Sequence, residues 1–166
     1  MSIHPSKKSN YLKLEQKTYE QHRLTILELF LDRIKDEILL VTQEGHLMYT
    51  NKETSRVLGY SRKELLAMSI SDIDPNCHPE RWSEHWESLK QSGTQTFETH
   101  HISKEGKAIA VEVRASFFEY EGLAYNLCIV HDITQRKQTE QRLKEKTEAL
   151  EKALELIKQI DSNSTM

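Results

Sequence analysis

Eight histidines and two cysteines give this 166-residue chain its clearest capacity to bind a metal. His78 and His85 lie seven residues apart, close to two turns of a helix, and Cys77 directly precedes His78. The residue after His78 is a proline, which predicts that a helix begins there and leaves His78 outside it. A tetrahedral zinc site needs four ligands, and the sequence offers no evident fourth one. We therefore expect no metal site here.

Three further histidines could act as metal ligands or as a catalytic residue. His100 and His101 are neighbours on a predicted strand, so their side chains point to opposite faces and form a poor chelate. His131 precedes Asp132, as the phosphorylated histidine of a histidine kinase precedes an acidic residue, but this pair ends a predicted strand. The chain has five glycines and contains neither a phosphate-binding glycine loop nor a G-x-S-x-G turn. These patterns predict that the chain is not an enzyme.

The composition narrows the class of protein further. The formal net charge is -3, which gives no broad basic surface to hold nucleic acid. No apolar run approaches the roughly 20 residues of a membrane span, and the N-terminus lacks the apolar run of a signal peptide. Cys77 and Cys128 are far apart and belong to no CxxC motif, so they predict neither a disulfide framework nor a zinc ribbon. We expect a cytoplasmic protein.

The N-terminal segment divides into a polar end and a helix. Residues 1–10 are polar and are expected to be disordered. Residues 11–35 contain neither glycine nor proline. Apolar residues follow one another there at steps of three and four, at Leu24, Leu27, Leu31 and Ile34. This spacing predicts an amphipathic helix that packs against its own domain or against a second copy of the chain.

The C-terminal segment has the heptad pattern of a coiled coil. In residues 135–160, Leu143, Leu150 and Ile157 repeat every seven residues and Leu154 occupies a neighbouring position. Charged and amide side chains fill most of the remaining positions, as a two-stranded coiled coil requires. The pattern predicts a homodimer whose seam is formed by these four apolar residues, followed by a disordered tail at residues 161–166.

The central region, residues 36–134, has the period-two alternation of strands. Strands are predicted at 38–42, 46–50, 94–103, 108–120 and 123–132, and helices at 52–58, 62–68 and 79–91. Ser61, with Glu64 three residues later, predicts a capping box at the start of the second of these helices. Glycine-bearing turns between the last three strands favour an antiparallel meander.

Four short motifs resemble those of the PAS domain family, over roughly Ile34 to Thr134. They are a hairpin that ends in Asn51, the turn Leu58-Gly59-Tyr60-Ser61-Arg62-Lys63-Glu64-Leu65, the helix start His78-Pro79-Glu80-Arg81 and the strand end His131-Asp132-Ile133-Thr134. Each motif is short, but their order and spacing together are specific to the family.

The resemblance implies an α+β fold, with a five-stranded antiparallel sheet and short helices on one face. It implies a pocket between the sheet and the 79–91 helix that in some members holds a small-molecule ligand. It also implies a dimer that passes a signal through Asp132, Ile133 and Thr134 into the following helix. The recipient would be an output domain or partner protein, such as a histidine kinase or a cyclic-dinucleotide enzyme.

The family also leaves two alternatives open. Some members hold haem through a histidine of the long helix, where His85 is the only candidate, although Trp82 falls closer to the family's ligand position. Asn76-Cys77 resembles the flavin-adduct site of photosensory members, but the residues that follow differ, so no cofactor is expected. In the other alternative the chain is a dimerising adaptor that senses nothing, because its own aromatic side chains fill the pocket: Phe97, Phe117, Phe118, Tyr125, Trp82 and Trp86.

Overall fold

The computed structural model describes the backbone of residues 5–163 and the side chains of residues 18–160. In chain order the elements are α1 (Pro5–Leu31), β1 (Glu37–Thr42), β2 (Leu47–Thr50), α2 (Lys52–Leu58), α3 (Arg62–Leu65), α4 (Ile70–Ile73), α5 (Pro79–Ser92), β3 (Thr94–Ile102), β4 (Ala108–Tyr120), β5 (Leu123–Asp132) and α6 (Thr134–Asn163). The strands form one antiparallel sheet in the order β2-β1-β5-β4-β3. The predicted α+β fold with a five-stranded sheet is confirmed.

The core lies between one face of the sheet and the short helices. Along β4, Ile109, Val111, Val113 and Ala115 are buried while the residues between them are more exposed. Helix residues pack against this face, among them Leu58, Leu65, Ile73, Trp86 and Leu89. Burying one leucine side chain fully contributes about 1.5–3 kcal/mol. Because the apolar residues of each strand alternate with polar ones, the face that carries the apolar residues is the one that packs into the core.

The β1–β2 hairpin closes as predicted around Gly45. The backbone N–H of Gly45 donates to the carbonyl of Thr42 at 2.9 Å, and Thr42 in turn donates to His46 at 3.0 Å. Gly45 has a φ of +85°, a left-handed conformation that favours glycine. A Cβ at this position would lie 3.5 Å from the indole nitrogen of Trp82, so the turn also packs directly on α5.

The predicted helix at 62–68 is shorter than expected and is followed by a short helix that was not predicted. Ser61 and Glu64 form the predicted capping box. After Leu65, the N–H groups of Ala67 and Met68 donate only three residues back, and the Met68 carbonyl accepts from Leu47 at 3.1 Å. This bond to the start of β2 draws the chain out of the helix, and α4 then begins at Ile70.

The N-terminal helix differs in its bounds from the prediction of residues 11–35. It begins at Pro5, within the segment predicted to be disordered, because residues 5–31 contain no glycine and no proline after the first position, where proline is tolerated. It ends at Leu31, where Asp32 accepts a hydrogen bond from the backbone of Lys52. The apolar residues Leu24, Leu27 and Phe30 remain mostly exposed. Residues 1–4 lie outside the described residues.

The C-terminal helix begins at Thr134 and extends to Asn163, three residues beyond the predicted end. Neither glycine nor proline interrupts this stretch, so the backbone continues past the last apolar residue. Residues 164–166 of the predicted tail lie outside the described residues. No helix within residues 5–163 is long and apolar enough to cross a membrane.

Candidate functional site

A cavity of about 460 Å³ lies between the sheet and the segment from α4 to α5. Small-molecule sites occupy about 300–1,000 Å³, so this volume suits a small ligand. Its apolar lining is formed by Leu39, Ile70, Cys77, Trp82, Phe97, Val113, Cys128 and Val130. Its polar lining is formed by Asp74, Asn76, Arg81, His85, Gln95, Glu98, Thr99, His101 and Asn126. The cavity therefore combines an apolar floor with several hydrogen-bonding groups.

An aromatic wall forms one side of the cavity. The His85 ring lies between those of Trp82 and Phe97, with centroid distances of 5.6 and 5.3 Å. The indole nitrogen of Trp82 donates to the carbonyl of Gln43 at 2.8 Å, which fixes the orientation of the ring. Trp82 and His85 thus lie together on the cavity side of α5.

The His85 side chain is half-buried, and its imidazole ring favours the uncharged form. Burial lowers its pKa, and a hydrogen bond with Gln95 opposes this effect only in part. Its Nε2 lies 3.5 Å from Nδ2 of Asn126, across the cavity on β5. His85 can therefore act as a hydrogen-bonding group for a bound molecule without adding a charge.

A set of hydrogen bonds at the cavity wall joins the loop after α4 to strand β3. The hydroxyl of Thr99 lies 2.9 Å from Oδ2 and 3.1 Å from Oδ1 of Asp74. The same hydroxyl accepts from Nδ2 of Asn76 at 3.2 Å, and Oδ1 of Asp74 accepts from the backbone N–H of Asn76 at 2.9 Å. Both Asp74 and Thr99 are buried, so these bonds hold a carboxylate at the cavity wall.

A buried pair that the sequence did not indicate lies at the same face of the sheet. His101 and His100 point to opposite faces as predicted, but His101 is buried, lines the cavity and is not an ordinary strand residue. Its Nδ1 lies 3.7 Å from Oε1 of Glu37, whose side chain is also buried. Glu37 lies two residues before Leu39 on β1, so both side chains point to this face of the sheet. This alternation could have indicated from the sequence that Glu37 is buried.

The residues predicted to couple the sheet to the last helix lie where β5 meets α6. Oδ1 of Asp132 accepts from the backbone N–H of Thr134 at 2.8 Å, at the first turn of α6. Ile133 is buried, and its N–H donates to the carbonyl of Ala110 on β4 at 2.9 Å. The start of α6 is therefore attached to both of the central strands β4 and β5.

An ion-pair cluster that the sequence did not indicate links α6 to the outer face of the sheet. Lys137 and Arg136 contact the carboxylate of Glu98 on β3 at 2.5 and 2.6 Å. Arg136 also lies 3.5 Å from Glu112 on β4. The lysine lowers the pKa of Glu98, so this carboxylate stays charged. We call Glu98, Arg136 and Lys137 the helix clamp.

The predicted dimer seam lies on α6, beyond the sheet. Leu143, Leu150, Leu154 and Ile157 are all exposed in the single chain. They share one side of the helix, as the heptad spacing predicts. The seam and the cavity are thus separate regions joined through the helix clamp and Asp132.

The cavity residues do not fit a haem. A haem needs a histidine nitrogen open to the iron and a broad apolar slot. Here Nε2 of His85 faces Asn126 at 3.5 Å, and a macrocycle would meet the polar side chains of Asp74 and His101 where it needs apolar contact. Nor do the residues fit an adduct-forming flavin, because Cys77 is followed by His78-Pro79-Glu80-Arg81 and not by the photosensory motif. Burial and the Asp74 charge also raise the pKa of the Cys77 thiol to about 11.

Comparison with known proteins gives a consistent group of relatives. A family profile described as PAS domain matches residues 35–135. The "Methyl sulfide methyltransferase-associated sensor" of Methanosarcina acetivorans is 33% identical over 110 residues, which cover 66% of this chain and 11% of that protein. The chain thus spans about a ninth of the length of this curated relative.

Solved structures share the fold. The PAS domain of an HTR-like protein from Haloarcula marismortui is 24% identical with a TM-score of 0.67, covering 72% of this chain and 98% of that one. A PAS domain from Desulfitobacterium hafniense is 26% identical with a TM-score of 0.56, covering 62% and 97%. A PAS domain from a two-component sensor histidine kinase is 23% identical with a TM-score of 0.61, covering 68% and 98%.

Proposed function

Because the chain belongs to the PAS domain family, we propose that it is a sensory module that dimerises and transmits a change at its cavity through α6. The recipient is an output domain or partner protein in signal transduction, of the histidine kinase or cyclic-dinucleotide enzyme kind. The chain acts by binding and conformational change, with no catalytic step of its own. A cytoplasmic location belongs to the proposal, where its two free thiols would stay reduced.

The observation that carries the proposal is the position of Glu98 on β3. Glu98 and its neighbours Phe97 and Thr99 all border the cavity, and the Glu98 carboxylate holds Arg136 and Lys137 at the start of α6. Successive residues of a strand point to opposite faces. A ligand that displaces Phe97 or Thr99 therefore also displaces the group that holds the helix.

The helix clamp is weak enough for ligand binding to break it. Its three side chains are each close to half exposed, and ion pairs of this kind contribute about 0–1 kcal/mol each. A ligand needs only a few kcal/mol of differential affinity to shift a two-state equilibrium. Asp132 and Ile133 keep the first turn of α6 attached to the sheet when the clamp loosens.

Dimerisation is supported by the exposed apolar residues of both terminal helices. Seam residues Leu143 and Leu150 are 64% and 66% exposed, and Leu24 of α1 is 64% exposed. A long helix with an apolar stripe gains most of its stability from packing of that stripe. A second copy of the chain supplies such packing through a coiled coil along α6.

The test measures the distance between the two α6 helices in the dimer by double electron–electron resonance, with spin labels at position 152 of the full chain. Glu98→Gln removes the helix clamp, and Thr99→Val removes the cavity hydrogen bonds to Asp74. We expect both variants to change the distance distribution. Glu105→Gln, in the exposed turn between β3 and β4, is the matched control and should leave it unchanged.

Each part of the proposal can fail separately in this experiment. The absence of a dipolar signal at high protein concentration would contradict the dimer. An unchanged distribution for Thr99→Val in an intact dimer would contradict transmission from the cavity, and would favour the adaptor that senses nothing.

A further inference from the structure

We infer that the cavity binds a small organic cation, such as an amine or amidine, beside Asn126 and His101, where the carboxylate of Glu37 lies behind His101. The inference deepens the proposed sensory function and rests on it for the choice of this cavity as the ligand site. It concerns the chemical class of the ligand, which follows from the atoms that the cavity leaves without partners.

Four of the seven buried side-chain polar atoms that lack a hydrogen-bond partner among the described residues lie at this face of the sheet. Among the described side chains, Oδ1 of Asn126, Nδ1 of His101 and both carboxylate oxygens of Glu37 are buried without a hydrogen-bond partner. Asn126 and His101 are each 1% exposed and Glu37 is 2% exposed. Buried polar groups are nearly always paired, so the two of these side chains that line the cavity, Asn126 and His101, favour a bound group that completes them.

These side chains face the ligand space. Asn126 shares one face of β5 with Cys128 and Val130, both of which line the cavity. His101 shares its face of β3 with Thr99 in the same way. Glu37 stands on β1 behind His101, within 3.7 Å of its Nδ1. Asn126 and His101 therefore line the cavity, and the Glu37 carboxylate lies next to it, behind the His101 ring.

The charges around this site favour a cation. Two buried carboxylates, Glu37 and Asp74, stand at the same face of the sheet. Among the described lining side chains Arg81 is the only arginine or lysine, and it is exposed. A buried carboxylate is costly, and a cation bound near it lowers that cost. An anionic ligand would add to it.

The aromatic wall suits the same class of ligand. Because the indole N–H of Trp82 is already bonded to Gln43, Trp82 offers a ligand its ring surface and no donor. A cation near the face of an aromatic ring is attracted to it, and a planar amidinium can stack there as well. The apolar floor accommodates the rest of such a molecule.

The test uses isothermal titration calorimetry of the full chain with three probes of similar size: benzamidine, benzoate and benzyl alcohol. We expect benzamidine to bind and benzoate not to bind. Glu37→Gln keeps the shape of the side chain and removes its charge, and should weaken benzamidine binding about tenfold or more. Glu105→Gln makes the same charge change in an exposed turn and should leave binding unchanged.

Folding of the variants is checked by thermal unfolding without ligand. Glu37→Gln should unfold at the same or a higher temperature, since it removes a buried carboxylate that makes no hydrogen bond. If it fails to fold, Asn126→Leu removes the other acceptor at similar volume and should weaken benzamidine binding to a similar degree.

Four results would overturn the inference: no binding of benzamidine at millimolar concentration, equal binding of benzoate, preferred binding of benzyl alcohol, or unchanged affinity in Glu37→Gln. The first of these would mean that Glu37 and His101 satisfy each other without a ligand. Binding of benzoate or benzyl alcohol would leave the sensory function standing with another ligand class. Binding of benzamidine with unchanged spin-label distances in Thr99→Val would retain the site and reject the transmission.

Discussion

The side-chain amide of Asn51 donates from Nδ2 to the carbonyl oxygen of Leu31, 3.0 Å away, where α1 ends. The same nitrogen donates to the Asp36 carbonyl at 3.0 Å, and Oδ1 accepts from the backbone N–H groups of Ile38 and Thr54, both at 3.1 Å. Asn51 is fully buried. One side chain therefore joins α1, β1 and α2, and fixes the N-terminal helix to the sheet.

Replacing Asn51 with alanine should lower the free energy of unfolding by about 3 kcal/mol, because several buried backbone groups lose their partner at once. Urea denaturation followed by tryptophan fluorescence measures this loss. Asn76→Ala, which removes an exposed amide bonded to Thr99, is the matched control and should cost less than about 1 kcal/mol. Equal losses in the two variants would contradict the central role of Asn51.

The predicted strands at 108–120 and 123–132 and the predicted helix at 52–58 agree with the structure residue by residue. Their patterns are local: a period of two in the strands, and an asparagine and a glycine that cap the helix. The short helix α4 was missed because its four residues span little more than one turn. Its position depends on the distant bond between Met68 and Leu47.

The site was only partly predictable for a similar reason. The sequence placed Trp82 and His85 on one helix, where a spacing of three brings their side chains together. The approach of Glu37 to His101 and of Glu98 to Lys137 depends on how the sheet and α6 meet, which no local pattern encodes. The alternation of side chains along each strand predicted only which face of the sheet each residue lies on.

Replacing Leu150 with aspartate should weaken dimerisation, because it puts a charge into the apolar seam of α6. Sedimentation equilibrium of the full chain should show a monomer-dimer constant shifted toward monomer by about tenfold or more. Ala149→Asp introduces the same charge one residue away, outside the heptad seam, and should have a smaller effect. A dimer that resists Leu150→Asp would move the interface elsewhere, with α1 as the next candidate.

Stability should fall as the pH drops below about 6.5, in part through His85. Burial lowers the pKa of His85 in the folded chain, so the unfolded chain binds its proton first and is favoured as the pH falls through that range. Above about pH 6.5 the contribution is complete. His85→Gln should therefore flatten the decrease of the melting temperature with falling pH, measured by differential scanning calorimetry.

His22→Gln, on the exposed side of α1, is the control for this measurement. It should leave the pH dependence as it is in the unaltered chain. The same slope in His85→Gln and in His22→Gln would mean that the protonation of His85 is not linked to folding.

The carboxylate of Glu64 should contribute stability at neutral pH that disappears in acid. Hydrogen bonds from Lys104 and from the backbone N–H and hydroxyl of Ser61 lower its pKa to about 2. A carboxyl with a lowered pKa contributes above its unfolded value of about 4.3 and loses that contribution as the pH falls toward 2. Glu64→Gln should lower the melting temperature at pH 7, and the difference from the unaltered chain should shrink below pH 4.3.

Glu105→Gln is the matched control for Glu64→Gln, since its exposed carboxylate lies in the neighbouring turn. It should change the melting temperature little at either pH. A difference between Glu64→Gln and the unaltered chain that persists undiminished in acid would show that the charge of Glu64 is not the cause.

The full chain, purified from cells without added cofactor, should absorb only as a protein, with neither a Soret band nor a flavin band. The reason is local: Nε2 of His85 lies against the amide of Asn126, and polar groups of Asp74 and His101 stand where a macrocycle would need apolar contact. Native mass spectrometry of the same sample reports any bound molecule by its added mass. A Soret band with the mass of haem that disappears in His85→Ala would contradict this expectation and would assign His85 as an axial ligand.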